Sequence, residues 1–375
     1  MTTRSDREVD PRPVGVPRAS VERIWRSVIQ YYRLGLQPAI AMCIRRRGQI
    51  IIDRAVGHAR GNGPGASESR VLATPDTLFN MFSASKSVTA MVIMGLEEDG
   101  LLRLDAPVAE FIPRFTGGGK ERVTIRHLLN HRAGIPAVSG EMLDPGILGD
   151  TQRVIDIICD ARQLYAPGDT IAYHALTAGF LLGEIARQVT GRDMRALLDE
   201  RVRRPLGFEH LSYGVSEERL TDVAEEAFTG PLPRRPLKNL LGRSLGVPMM
   251  RLVEIANDPM FLTSIVPSGN VVAPPHEVGR FFELLLRGGT LDGVKVFDER
   301  TIARAVAPQG RRQIDRIILL PLRYGLGFML GSRTLSFYGR RTPRAFGHLG
   351  FTNVLAWADP ERDISVAFMN NASPS

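Results

Sequence analysis

Apolar and polar positions alternate with two different periods along this chain, and the change of period divides it into three parts. Residues 20–32 repeat at helical spacing, with Val21, Ile24, Trp25 and Val28 on one stripe, Ser20 as a candidate cap and Leu34-Gly35 just past the end. Two apolar runs follow, residues 39–45 and 49–56, joined by Arg46-Arg47-Gly48, which reads as a hairpin. From about Ser83 to Ser264 the helical period returns, with predicted helices over 83–98, 125–130, 151–162, 176–190 and 193–203 and few strand signals. Another helix is predicted over 276–288. The last third reads as short strands, 324–330, 334–338, 345–348, 354–359 and 364–369, the final pair joined by Pro360-Glu361-Arg362-Asp363.

Short turns favour antiparallel pairing, so the pattern predicts an α/β fold of the α+β type. One antiparallel sheet draws strands from both chain ends, is flanked by helices and carries an inserted, mainly helical domain. The expected boundaries are a disordered leader over 1–18, a discontinuous sheet domain over 19–82 plus 265–375, and a helical domain over 83–264. Within the last, 230–262 is proline-broken and apolar, which suits a lid better than a polar linker.

The chemistry concentrates at Phe79-Asn80-Met81-Phe82-Ser83-Ala84-Ser85-Lys86, where an apolar strand-like run enters a helix carrying a serine and a lysine. A spacing of three stacks Ser83 and Lys86 on one helical face, and the unpaired N–H groups of a first turn point toward that serine. If burial strips the lysine of its proton, its amine accepts the proton of Ser83 and makes it a nucleophile. This is the Ser-x-x-Lys arrangement of penicillin-recognising serine enzymes. The plain structural reading of the same residues is an N-cap serine beside a solvated lysine.

Two further stretches stand out. Pro167-Gly168-Asp169-Thr170-Ile171-Ala172-Tyr173-His174 delivers a tyrosine just before a long apolar helix, and a phenolate there would share a proton with Lys86; a half-buried aromatic is the other reading. In Phe346-Gly347-His348-Leu349-Gly350-Phe351, two glycines flank a strand histidine and let backbone pass close to a ligand.

In this order the three segments resemble the serine β-lactamase-like superfamily: class C β-lactamases, D-alanyl-D-alanine carboxypeptidases, family VIII carboxylesterases and related acyltransferases. The resemblance extends to Leu128-Leu129-Asn130-His131-Arg132-Ala133-Gly134-Ile135, to Leu101-Leu102-Arg103-Leu104-Asp105, to Val266-Pro267-Ser268-Gly269-Asn270-Val271 and to Tyr324-Gly325-Leu326-Gly327-Phe328. It implies Ser83 as acyl-accepting nucleophile, Lys86 as its proton partner and Tyr173 as the base that shuttles protons to leaving group and water. The implied oxyanion hole is the backbone N–H of Ser83 and of Phe351, with His348, Gly350 and His174 at the substrate. His348-Leu349-Gly350 stands where β-lactamases carry Lys-Thr-Gly, and Tyr173-His174-Ala175 where they carry Tyr-x-Asn. Neutral His348 and Leu349 offer a substrate carboxylate neither charge nor hydroxyl. The expected substrate is therefore a small to medium uncharged carboxylic ester, as in family VIII carboxylesterases, with β-lactamase, D-Ala-D-Ala peptidase or acyltransferase activity as alternatives. Relatives usually follow the last strand with a helix packed on the sheet; here Asn370-Asn371-Ala372-Ser373-Pro374-Ser375 takes its place, so an apolar patch is expected on that face.

Composition narrows the partners. Forty-three per cent hydrophobic and 23 % charged is ordinary for a soluble enzyme. The net charge of +8 comes from arginines scattered among acids, without a nucleic-acid-binding motif, so no nucleic acid is expected, although the excess favours anionic surfaces weakly. No run is long enough to span a bilayer and the first residues lack the apolar core of a signal peptide, which makes stable membrane insertion unexpected and a cytoplasmic location the default. Cys43 and Cys159 lie in apolar runs and read as buried thiols rather than a disulfide or metal site. No cofactor is implied.

Rival motifs are weaker. Gly242-Arg243-Ser244-Leu245-Gly246 matches a nucleophile elbow but lacks an apolar strand directly before it. His276-Glu277-Val278-Gly279-Arg280 has arginine where a zincin needs its second histidine, and Gly117-Gly118-Gly119-Lys120 lacks the Walker spacing. A different class of role, a binding or filament module without turnover, is open to any reused fold, but Ser83, Lys86 and Tyr173 together argue for catalysis.

Overall fold

A computed structural model of the chain describes residues 2–62, 69–136, 140–229, 249–351 and 354–374. Its centre is a sheet of eight strands, β1 (Thr2–Arg4), β2 (Ala39–Arg46), β3 (Gln49–Arg60), β4 (Val71–Leu72), β5 (Met329–Leu330), β6 (Phe346–Leu349), β7 (Leu355–Asp359) and β8 (Ile364–Asn370). The strands run in the order β1-β3-β2-β8-β7-β6-β5, with β4 also on β3, and every pairing is antiparallel. The two chain ends meet in the middle: Ile40 to Arg46 of β2 pair with Asn370 to Ile364 of β8. Because β2 is covered on both faces, its apolar run shows no alternation, and Ala39 to Ile44 are all buried. The β2–β3 turn is the two-residue type in which both central residues, Arg47 and Gly48, have positive φ.

Four helices frame the site: α1 (Arg18–Arg33), α2 (Ser85–Glu98), α3 (Thr177–Thr190) and α4 (Pro275–Leu286). The α1 stripe of Val21, Trp25 and Val28 packs on Ile40, Met42 and Ile44 of β2 and on β3. Its start differs from the expected Ser20 cap, since Pro17 holds the cap position without a side-chain bond. On the opposite face α4 covers β2, β7 and β8, and Ser365 donates to the Gly279 carbonyl at 2.8 Å. The helix α2 is buried nearly all round, which explains its apolar sequence. Cys43 and Cys159 are both buried free thiols.

Three sequence expectations need correction. Of the leader expected to be disordered over 1–18, residues 2–18 are ordered: β1 pairs with Arg54–Val56 of β3, Arg7 donates to Asp53 at 2.8 Å, and buried Arg54 donates to Glu8 at 2.7 Å. The strand expected over 334–338 is a loop with a single bridge, Ser336 to Gly339, and of 324–330 only Met329–Leu330 is strand. The helix over 193–203 is a shorter α-segment, Met194–Leu198, continued by a π turn, Asp199–Arg203.

Among the described residues no helix follows β8. Ala372–Pro374 instead runs parallel to Ala227–Thr229. On the sheet face beside α1, Leu355, Trp357, Ile364 and Phe368 stand half-buried, with Tyr338 stacked on Trp357 and Tyr31 of α1 against Phe368, so the apolar face expected there is only partly covered. The Ser244 elbow, the first part of the lid over 230–248, Gly63-Pro64-Gly65 and Thr352-Asn353 lie outside the described residues.

Candidate active site

The chain enters the site through Phe79–Asn80, which pairs with Val272 and Ala273. Phe82 then takes φ +46°, a left-handed conformation that costs a bulky residue about 1–2 kcal/mol. The Asn80 side chain holds that bend by accepting the Phe82 N–H at 3.0 Å, and the Phe82 ring packs edge-on against Phe351, centroids 5.8 Å apart. A 3-10 turn, Phe82–Ala84, leads into α2, so the α-helix proper begins at Ser85 rather than at Ser83. The spacing of three still brings the pair together, with Lys86 Nζ 3.3 Å from Ser83 Oγ.

Lys86 lies at the bottom of the site, 7 % exposed, and burial alone lowers its pKa from 10.5 to about 7. Its Nζ is 2.7 Å from the Ala175 carbonyl and 3.1 Å from that of Ser268. Those two acceptors use both N–H groups of a neutral amine. The lone pair then falls to the third neighbour, Ser83 Oγ, which matches the hydrogen bonding of a base toward a serine O–H. The Ser268 carbonyl comes from the Val266-Pro267-Ser268 segment, fixed by Thr89 of α2, which donates to the Pro267 carbonyl.

The Tyr173 ring centroid is 5.0 Å from Lys86 Nζ. Burial pushes the Tyr173 phenol pKa up, opposed by the nearby Ser83 hydroxyl and reinforced by Asp315, so its resting form is the phenol, not the phenolate the sequence suggested. Asp315 is a residue the sequence reading missed. Fully buried, it accepts from the Tyr173 N–H at 3.2 Å, from the Ile317 and Ile318 N–H groups, and from the Tyr324 hydroxyl at 3.2 Å. A signal existed, because Asp315 is the one acid between Glu299 and Asp359.

The histidines divide differently from expectation. His131, with φ +61°, packs its ring 4.7 Å from Tyr173 and 4.8 Å from Tyr324 and accepts the His174 N–H on Nδ1 at 3.2 Å. His174 is buried, its Nε2 accepting from the Ile135 N–H at 3.2 Å, and it stands in the wall behind Tyr173 rather than in the cavity described below. His348 is also fully buried, its ring 6.0 Å from Tyr173 and its Nδ1 2.6 Å from the Leu349 carbonyl. Burial pushes both His174 and His348 down to about 3 and His131 well below its usual value, so none of the three carries charge near neutral pH.

Gly350 has a steric reason: a Cβ there would lie 2.5 Å from the Met81 carbonyl, so the end of β6 reaches the nucleophile turn only without a side chain. That approach carries Phe351 to Ser83. Among the described residues the N–H groups of Ser83 and Phe351 have no backbone acceptor, as an oxyanion site requires. Gly327 (φ +76°) lets the 324–328 segment press on α2, where a Cβ would meet Ala90 at 2.1 Å.

Half-buried Ser83 opens on a narrow cavity of about 70 Å³. Leu143, Leu148, Leu176, Leu252, Ile255 and Phe261 supply most of its wall, and among the described residues no charged side chain lines it. The later part of the expected lid thus forms two helices, Met249–Asn257 and Pro259–Thr263, over the serine. Among the described residues, no group of three or more His, Cys, Asp or Glu could hold a metal ion.

The chain is similar over most of its length to several known proteins. An esterase/β-lactamase, LipL, of Mycobacterium tuberculosis is 31 % identical over 94 % of this chain and 81 % of its own. A penicillin-binding protein homologue from Caulobacter crescentus superposes with a TM-score of 0.81 at 28 % identity, covering 99 % of this chain and 93 % of that one. A family VIII carboxylesterase follows with 0.79 at 26 % identity, covering 95 % and 92 %. The β-lactamase family profile matches residues 28–375, and on that match the chain belongs to the β-lactamase family of serine-hydrolase-like proteins.

Proposed function

We propose that the protein is a serine carboxylesterase acting on small to medium uncharged esters through an acyl-enzyme on Ser83. The observation that carries this reading is the apolar cavity opening on a serine whose neighbour is a lysine close to neutrality. A substrate carboxylate finds no cation in the described lining, and the buried, uncharged His348 supplies none. The resemblance to LipL, whose name joins esterase and β-lactamase, and to a family VIII carboxylesterase supports the same reading.

In the proposed reaction the Lys86 amine takes the Ser83 proton as Oγ bonds to the ester carbonyl carbon. The N–H groups of Ser83 and Phe351 hold the resulting oxyanion, each worth roughly 3 kcal/mol in comparable sites. Collapse breaks the bond to the alkoxide, which takes a proton from the Tyr173 phenol, and the Lys86 ammonium restores that proton. Water then enters by the same route in reverse and releases the acid. Tyr173 is thus a relay rather than the first base, because burial favours its phenol form while favouring the neutral amine of Lys86.

The test is hydrolysis of short-chain p-nitrophenyl esters, with nitrocefin run in parallel. Ser83→Ala abolishes ester turnover and the acyl-enzyme mass shift, and Tyr173→Phe lowers kcat on the order of 10²–10⁴-fold. Equal ester rates in wild type and Ser83→Ala would remove the proposal, and nitrocefin turnover exceeding ester turnover would reassign the substrate.

A further inference from the structure

Charge is unevenly distributed in this chain. Residues 310–344 hold eight arginines against a single carboxylate, Asp315, so 35 residues carry seven of the chain's eight net positive charges. Asp315 is buried and bonded to Tyr173 and Tyr324, which leaves it unavailable to these arginines. All but half-buried Arg323 are exposed, and among the described residues none of the eight is paired with a carboxylate. Elsewhere on the surface arginines are commonly paired, as Arg114, Arg126 and Arg201 are.

The same stretch exposes Ile314, Leu319, Leu320, Leu335 and Phe337, five of the fourteen large apolar side chains exposed among the described residues, with Leu335 at 67 %. The two sets meet in space. A groove of about 830 Å³ between the Gln313–Ile314/Pro321–Leu322 hairpin and the loop after β5 is lined by Arg311, Arg312 and Arg333 together with Leu320, Leu335 and Phe337. It shares no lining residue with the cavity at Ser83.

Unpaired arginines repel one another, and exposed aliphatic side chains favour aggregation. A partner that relieves both must offer many anionic oxygens beside an apolar layer. A bilayer rich in anionic phospholipid does so: guanidinium groups bind headgroup phosphates in bidentate fashion while leucine and phenylalanine enter the boundary of the acyl chains. Nucleic acid supplies the phosphates without the apolar layer. We propose that this face docks the protein peripherally on anionic phospholipid membranes. Docking requires no spanning segment, in keeping with the absence of any helix long and apolar enough to cross a membrane among the described residues.

The experiment is co-sedimentation of the full chain with phosphatidylcholine vesicles, with and without phosphatidylglycerol, over a salt series. Binding is expected only with phosphatidylglycerol and is expected to weaken with salt. At about fivefold per basic residue, R311E/R312E/R333E, which reverses three charges, loses more than about 100-fold in partition. R311Q/R312Q/R333Q, milder on the fold, neutralises the three charges and loses on the order of 100-fold, and L335S/F337S loses the component that resists salt. Hydrolysis of a water-soluble p-nitrophenyl ester stays at the wild-type rate in all three, which separates this proposal from the catalytic one. Equal binding to phosphatidylcholine alone, unchanged binding by the glutamine variant, or tighter binding to duplex DNA or polyglutamate than to phosphatidylglycerol vesicles would overturn it.

Discussion

Proton availability at Lys86 gives the sharpest quantitative handle on the site. The amine is lowered from 10.5 to about 7 by burial, a differential of roughly 5 kcal/mol between its charged and neutral forms. A base must be neutral, so the sign follows: activity rises with pH through about 7 and falls as the amine protonates below it. One proton governs the limb, so kcat/KM for a neutral ester falls to roughly one-tenth at pH ~6 and one-hundredth at pH ~5. The surrounding groups do not supply such a limb. His131, His174 and His348 are all pushed far down, and the Tyr173 phenol is pushed up. The assay is the initial rate of p-nitrophenyl ester hydrolysis across the range, read at the isosbestic wavelength of the product. Lys86→Arg, which cannot give up its proton, is expected to be inactive throughout. A flat profile from pH ~5 to ~9, or a limb unchanged in Lys86→Arg, contradicts the assignment of Lys86 as the base.

Three other outcomes follow from the packing. Gly327→Ala forces a Cβ to 2.1 Å from Ala90 and 3.1 Å from the Lys86 carbonyl at positive φ, and is expected to cost roughly 2–4 kcal/mol in urea unfolding. Asp315→Ala strips the acceptor from three N–H groups and the Tyr324 hydroxyl and is expected to cost roughly 3–5 kcal/mol, with kcat reduced more than KM is raised, whereas Asp315→Asn keeps an acceptor oxygen and is expected to cost under about 1.5 kcal/mol. Glu226 is buried with both carboxyl oxygens unpartnered among the described residues and its pKa raised well above 4.5 by burial. Its raised folded-state pKa favours the protonated form and stability is lost as pH rises, so Glu226→Gln is expected to stabilise by up to about 3 kcal/mol at pH ~7, with the gain vanishing near pH ~4; an unchanged denaturation midpoint at neutral pH counts against it.

Much of the fold was legible because its signals are local. The β2–β3 hairpin, the stripe of α1 and the final strand pair each carry their period in a few consecutive residues. Ser83 and Lys86 were readable for the same reason, since one turn of chain fixes their spacing. What escaped was set by tertiary contact. The left-handed turn at Phe82 has no glycine to announce it and is held by Asn80 and by packing on Phe351. His174 sits next to Tyr173 in sequence, yet its ring turns to the Ile135 N–H, which adjacency cannot reveal. The ordering of residues 2–8 depends on pairing with a strand some fifty residues on, and their own composition is polar. Residues 324–330 read as strand because Tyr, Leu and Phe alternate with glycine at their start, but Gly327 serves the close approach to α2 and Gly325 a close approach to the Ala305 carbonyl.

The pairing of β2 with β8 sets a timetable for the newborn polypeptide. Residues 40–46 leave the ribosome early and wait for 364–370 before their hydrogen-bonding edge is satisfied, a contact of very long sequence separation that slows folding and leaves an apolar strand edge open in the interval. The wall that brings Phe351 to Ser83 belongs to the same late half of the sheet. The site proposed around Ser83 is therefore completed only after residues 346–370 have been made, and shorter fragments are expected to be sticky and without ester turnover.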